Sequence, residues 1–433
     1  MEARPPEEAA AKGRAETAEK NGVSGANTGG DAGHGGESGE AGTSEPPCGA
    51  PGEACCTGSV CTGNATCAAG TCTCASKLDA CGAACVDEKA DPKNCGGCGH
   101  DCLGGECDLG ACQPVQVATG QTHVNALATD GANLYWTGSD LSFAHYYVNR
   151  RKVDASDAIA PLATTETGVN GLTITADASY WFAAGHLRTC DAPSCSKGAG
   201  DYISQVQTTN CGSSVLFNAG KNTLYWTCYA PYDTNNGALY SLVRGTVTPV
   251  AVIPTPANPI GLLSDDSNLY YLNSSSYTAD NLNKDGAMGR IRFSDGAKAT
   301  LVSGIQADLA AFAVGGTALY FAGNQVFLPQ SDQHAIFRVP LPNGLGNAAA
   351  PKFASTATPA SAVNSMVADD DYLYFLEGEP SGSGNLVRCA HSGCPSPEVI
   401  VPGQAALGEL IQDDVSLYWT EGGPSVTIWR LAK

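Results

Sequence analysis

From Gln113 onward, short apolar runs alternate with turn residues in a pattern that returns seven times. The copies are ALATDGANLYWTG, LTITADASYWFAAG, LFNAGKNTLYWTC, LLSDDSNLYYLNS, AFAVGGTALYFAGN, MVADDDYLYFLEG and LIQDDVSLYWTEG. Each opens with an apolar run, passes through a turn of Asp, Gly, Asn or Ser, and continues into Leu-Tyr-aromatic or a close variant of it. The turn residues tolerate positive φ or bond their own backbone, and the aromatic residues behind them fit a pleated surface, so each copy predicts a hairpin. A third strand follows, as in RRKV (Arg150 to Val153), HLRTC, ALYSLV, GRIRF, AIFRVPL, NLVRC and TIWRL, with its cations expected in solvent. A fourth is expected at 248–253, 298–302 and 398–401 in three of the copies.

The anchor tyrosines are Tyr135, Tyr180, Tyr225, Tyr270, Tyr320, Tyr374 and Tyr418, separated by 45, 45, 45, 50, 54 and 44 residues. That spacing is one four-stranded propeller blade. The chain is therefore expected to be all-β, with a seven-bladed β-propeller over 113–433. The seventh copy stops after TIWRLAK without a fourth strand. An unpaired edge is a liability, and the alternating segment QPVQVAT at 113–119 predicts a strand that closes the ring by completing blade seven.

The pattern upstream is different. Residues 1–47 are mostly Ala, Gly, Glu and Ser, a composition that offsets little of the entropy of ordering, and read as a disordered tether to a surface. The chain has 20 cysteines, and those between Cys48 and Cys112 fall into two groups divided at 73/74. Such segments have hardly any apolar core, so crosslinks must replace it. The two-residue gap between Cys95 and Cys98 also suits zinc, but this many thiols outside the cell point to disulfides, and no metal site is expected. The cysteines imply an extracytoplasmic, secreted or surface location, although the first residues show no apolar export signal. No segment offers the 18 apolar residues of a membrane span. A net charge of -20 argues against nucleic acid as a partner.

The run CGAACVDEKADPKNCGGCGHDC resembles the Cys-rich module of the stigma-specific secreted protein family. Cys81, Cys85, Asp87, Asp91, Asn94, Cys95, Cys98 and Cys102 carry that resemblance, which implies a secreted module rather than an activity. The tyrosine-aromatic hairpins resemble the TolB-like propellers of exported bacterial proteins.

Six cysteines fall within the repeats. Cys190/Cys195 and Cys389/Cys394 occupy equivalent places after third strands, and Cys211/Cys228 flank one hairpin, so three further bridges are expected. Asp265-Asp266, Asp369-Asp370-Asp371 and Asp413-Asp414 recur at the turn position without the spacing of a calcium loop and are read as turn chemistry.

The second-to-third-strand loops are the long ones, and loops on a rigid scaffold commonly carry binding residues. Candidate contacts there are Phe143, His145, Tyr229, Tyr232, Asp233, Tyr277, Asp280, His334, Glu377, Glu379 and Glu421. This mixture of aromatic rings, carboxylates and amides suits a glycan, peptide or protein ligand. No nucleophile elbow, paired-histidine set or phosphate loop is present, and no catalytic residue or cofactor is assigned. The alternatives are a carbohydrate-active hydrolase or lyase using carboxylates at the channel mouth, such as Glu377, Glu379 or Asp233, and a structural or adhesion component of an extracellular matrix.

Overall fold

The computed structural model describes residues 48–433 apart from 205–210, 229–236, 258, 274–276, 279–280, 283–285, 306–310, 323–334, 347, 359–360, 379–381 and 424. Seven four-stranded antiparallel sheets follow one another as the blades of a propeller. Four strands, A to D, run outward in each; blade 1 consists of Ala126–Thr129, Asn133–Ser139, Tyr146–Lys152 and Ala160–Glu166. In blade 7 the inner three are Leu407–Gln412, Ser416–Glu421 and Val426–Ala432, and the fourth is Val115–Gln121, paired antiparallel to Val426–Ala432. The ring is closed as the sequence predicts, with the closing strand two residues further along.

The Tyr-aromatic dipeptide explains why the blades stack. Successive side chains on a strand point to opposite faces, so the tyrosine of one blade meets the following aromatic of the next. Tyr135 shares a core cluster with Trp181, Tyr180 with Trp226, Tyr225 with Tyr271, Tyr270 with Phe321, Tyr320 with Phe375, Tyr374 with Trp419, and Tyr418 with Trp136. Each cluster is a seam between neighbouring blades, and the last is the closing seam.

Burying a tyrosine requires a partner for its hydroxyl. In blades 1, 4 and 7 the Asp five residues earlier accepts it: Tyr135 to Asp130 at 2.8 Å, Tyr270 to Asp265 at 2.7 Å and Tyr418 to Asp413 at 2.8 Å. The other oxygen of each Asp accepts two backbone N–H groups of the A–B turn, as Asp130 does from Ala132 and Asn133. Burial first, and the neighbouring carboxylate second, push these tyrosines above their ordinary range. Blades 2 and 5 lack the aspartate, and the next blade sends a group instead. Arg244 of blade 3 donates to the Tyr180 hydroxyl at 2.8 Å, and the Tyr320 hydroxyl donates to Nδ1 of His391, from blade 6, at 2.9 Å. Arg244 and His391 hold the same place, immediately after strand C.

The strand C cations meet the expectation of solvent only in part: Lys152 and Arg292 are exposed, whereas Arg150 and Arg430 are largely covered. Arg150, Arg290, Arg338, Arg388 and Arg430 lie directly across from anchor tyrosines. Arg430 is only 4% exposed, its guanidinium donating to the Leu103 carbonyl of the region ahead of the ring.

Cross-links stabilise the small region ahead of the ring. Its bridges are Cys48–Cys56, Cys55–Cys67 and Cys61–Cys72, followed by Cys74–Cys85, Cys81–Cys98, Cys95–Cys107 and Cys102–Cys112. None links 48–73 to 74–112. In the propeller Cys211–Cys228 and Cys389–Cys394 are formed. The expected third bridge is not: Cys190 and Cys195 are buried, free thiols. Asp191 holds that turn without one, accepting from Ser196 Oγ at 2.6 Å and from the Lys197 N–H at 3.1 Å. Blade 6 has Ala390 at the corresponding place and closes its turn with sulfur. Among the described residues no helix is long and apolar enough to cross a membrane. This density of disulfides belongs to an oxidising environment.

Candidate functional site

The two ends of the ring are unlike. At the A–B and C–D end, Asp130, Asp265 and Asp413 are engaged by backbone and tyrosine, and the module at 74–112 sits against blade 7 there, with His100 Nε2 bonded to the Lys433 main-chain oxygen at 2.7 Å. The opposite end carries the B–C and D–A loops and the candidate residues that are described.

The B–C loop of blade 1 lies wholly within the described residues of that end. Asp140 is its brace. One carboxylate oxygen accepts from the Ser142 N–H at 3.1 Å, the Ser142 hydroxyl at 2.8 Å and the Ala144 N–H at 3.0 Å, while the other accepts from His145 Nδ1 at 2.9 Å. The His145 contact, then that of Ser142, holds the Asp140 carboxyl well below the usual carboxylate range. Two backbone bonds complete the loop, Asp140 N–H to His145 O and Phe143 N–H to Asp140 O.

A loop braced in this way presents apolar side chains that no collapse of the chain can hide. Leu141 is 64% exposed and Phe143 55%. Phe143 lies against His123 of the D–A connection, ring centroids 4.4 Å apart and planes tilted by 36°. Both adopt positive φ, 55° and 42°, a conformation costly for residues with a side chain and kept where the surroundings fix it. The connection itself is anchored: Tyr147 donates to the Thr122 carbonyl at 2.6 Å, and Trp136 Nε1 donates to Gln121 Oε1 at 3.1 Å. Phe143 and His123 therefore form an aromatic platform beside the closing seam, on a loop that also exposes Leu141.

The remaining candidates divide. Glu377 is fully buried, accepting from the Ala357 N–H at 2.6 Å, the Thr358 N–H at 2.9 Å and Asn385 Nδ2 at 2.9 Å, so it holds the connection into blade 6 instead of facing a ligand. Glu421 is likewise engaged through both oxygens, with Ala405 N–H at 2.8 Å and Trp429 Nε1 at 2.6 Å. Tyr277 contributes backbone to a two-residue strand paired with Asn281–Leu282. Tyr229, Tyr232, Asp233, Asp280, His334 and Glu379 lie outside the described residues.

Two residues of this end had no signal in the sequence pattern. His123 precedes the first copy of the repeat. Glu409 sits within an apolar run on the inner strand of blade 7, two residues before the partner of Tyr418. Its carboxylate crosses the closing seam to accept the Leu127 N–H of blade 1 at 2.6 Å. Ser214 and Ser365, at the same level in blades 3 and 6, take the N–H of Leu262 and Leu410 at 3.1 Å each. Burial pushes the Glu409 carboxyl up to about 8, against the smaller opposing effect of the Leu127 bond.

No family model matches the sequence, and no curated protein matches it. Among solved structures, a catalytically inactive virginiamycin B lyase from Staphylococcus aureus is similar over 74% of this chain and 98% of its own, at 13% identity and a TM-score of 0.48. Puromycin hydrolase is similar over 73% of this chain and 53% of its own, at 11% identity and a TM-score of 0.53. A puromycin-hydrolysing peptidase from Mycobacterium tuberculosis matches over the same shares, at 11% identity and a TM-score of 0.51. The chain spans about half the length of these last two, and at such identities the likeness is one of fold, the propeller itself.

Proposed function

We propose that this protein is an exported binding scaffold that takes a glycan, peptide or protein ligand on the B–C loop face of its propeller. The platform of Phe143 and His123, held rigid by Asp140, carries the reading, because an exposed aromatic surface on an immobile loop loses little entropy on binding. Ser142 and His145 stand beside it with polar groups able to orient a ligand, and His145, bonded through Nδ1, keeps Nε2 for that purpose. The disulfides support export, and residues 1–47 are proposed as a surface tether. The hydrolase or lyase alternative draws no support from Glu377 or Glu421, whose oxygens are engaged in structure.

Arrays of glycans and of peptides probed with the full chain test this. Removing an aromatic anchor of this kind weakens binding about tenfold to a hundredfold. Phe143→Ala is expected to do so, while Asp414→Ala at the opposite end leaves binding intact. Ligands that bind Phe143→Ala as tightly as the natural chain contradict the reading.

A further inference from the structure

A ring closed by a strand from elsewhere in the sequence has one weak place, the pairing of that strand with its neighbour. Here it is Val115–Gln121 against Val426–Ala432, with register shifts on both sides of Ile428. Peeling begins most easily at a free end. The end at which Val115 lies opposite Arg430 is not free, because the second disulfide module occupies it.

That module grips both partners. On the closing strand's side, Gln113, two residues ahead of Val115, donates its N–H to the Glu106 carbonyl at 2.8 Å. Gly105 packs so closely that a Cβ there would stand 2.4 Å from the Gln113 oxygen. Cys112, next to Gln113, is bridged to the buried Cys102 and packs against the blade 6 and 7 core cluster. On the neighbouring strand's side, the buried Arg430 guanidinium donates to the Leu103 carbonyl. His100 spans from the Cys95 carbonyl, at 2.5 Å, to the main-chain oxygen of Lys433, at 2.7 Å. Cys95 and Cys102 are each almost fully buried and each in a bridge, so the residues that make these contacts hang on a crosslinked frame.

We propose that the module at 74–112 is the clasp of the propeller: it pins the closing strand and its partner at their shared end, so that opening of the ring is governed by the Cys102–Cys112 bridge. The clasp is independent of any ligand at the B–C face. It gives the second disulfide module a role in the ring instead of the passive one of a linker.

Backbone hydrogen exchange on the full chain tests this, comparing 115–121 with the inner strands of blades 3 and 4 as internal reference. In the Cys102→Ala/Cys112→Ala variant, exchange of 115–121 is expected to quicken at least about tenfold, a local opening that leaves the reference strands unchanged. The Cys55→Ala/Cys67→Ala variant, altered in the first module, should leave 115–121 as it was. His100→Ala keeps every bridge and should give a smaller increase at 115–121, which decides the matter if the double variant does not fold. Unchanged exchange at 115–121 in His100→Ala and in the Cys102/Cys112 variant overturns the proposal. So does a rise of equal size across all blades, or one of equal size in the Cys55/Cys67 variant.

Discussion

Glu409 offers the sharpest test of the closing seam. Its carboxyl accepts the Leu127 N–H across that seam and is pushed up to about 8 by burial, from an ordinary 4.5. A folded state that holds its proton more tightly than the unfolded chain is most stable below the unfolded value. The advantage is then lost as pH rises from about 4.5 through about 8. At 1.36 kcal/mol per pH unit the difference amounts to about 4.8 kcal/mol, which partial solvent contact of the side chain reduces to roughly 2–4 kcal/mol. Glu409→Gln removes the titration, keeps the shape and retains an amide oxygen to accept the Leu127 N–H. Equilibrium unfolding in denaturant, run on both proteins at constant ionic strength, isolates this group because every other titration cancels in the difference. At pH 4 the two should be nearly equal; at pH 9 the variant should be more stable by that roughly 2–4 kcal/mol. A difference independent of pH, or a natural protein that gains on the variant as pH rises, refutes the reasoning.

Three other outcomes follow from the packing. Asp130→Ala should cost about 2–3 kcal/mol in unfolding measurements, because it strips the A–B turn of its acceptor and leaves the buried Tyr135 hydroxyl unpaired; adding Tyr135→Phe should return part of that loss. Gly261→Ala places a Cβ 2.4 Å from the Phe312 ring of the next blade and should destabilise by about 1–3 kcal/mol, with recovery when Phe312→Leu is combined with it. Thiol titration of the unfolded chain without reductant should count Cys190 and Cys195, and in the native protein both should react slowly, since burial pushes their thiols up. Finding neither thiol would show that this turn is bridged as the one at Cys389–Cys394 is.

The architecture was legible because the information is local and repeated. A turn aspartate, then Leu-Tyr-aromatic, specifies a hairpin and both of its packing faces within a dozen residues, and an orphan strand ahead of the first copy matches the strand missing from the last. What the sequence hid is what joins distant segments. Arg244 stands 64 residues from Tyr180, and His391 stands 71 from Tyr320, so nothing local announces that each replaces a missing aspartate. The strand C arginines read as solvated because cations usually are, yet five of them lie across from anchor tyrosines and one, Arg430, is buried. Glu377 read as a rim residue from its place at the start of a long second-to-third-strand loop, but it lies within the strand and three donors turn it inward. In the site, Phe143 and His145 were legible as loop residues, whereas His123 joins them only through the ring closure. Equivalence between blades suggested the Cys190–Cys195 bridge, and Asp191, a difference of one residue from blade 6, supplies the hold that makes it dispensable.

Hydrogen exchange of the full chain with a bound array-selected ligand tests the central claim, that the B–C loop face is the working surface, most directly. Protection should appear at 121–124 and 140–145, at the Phe143 and His123 platform, and vanish in Phe143→Ala. Protection confined to the A–B turns, such as those at Asp265 or Asp413, would contradict it.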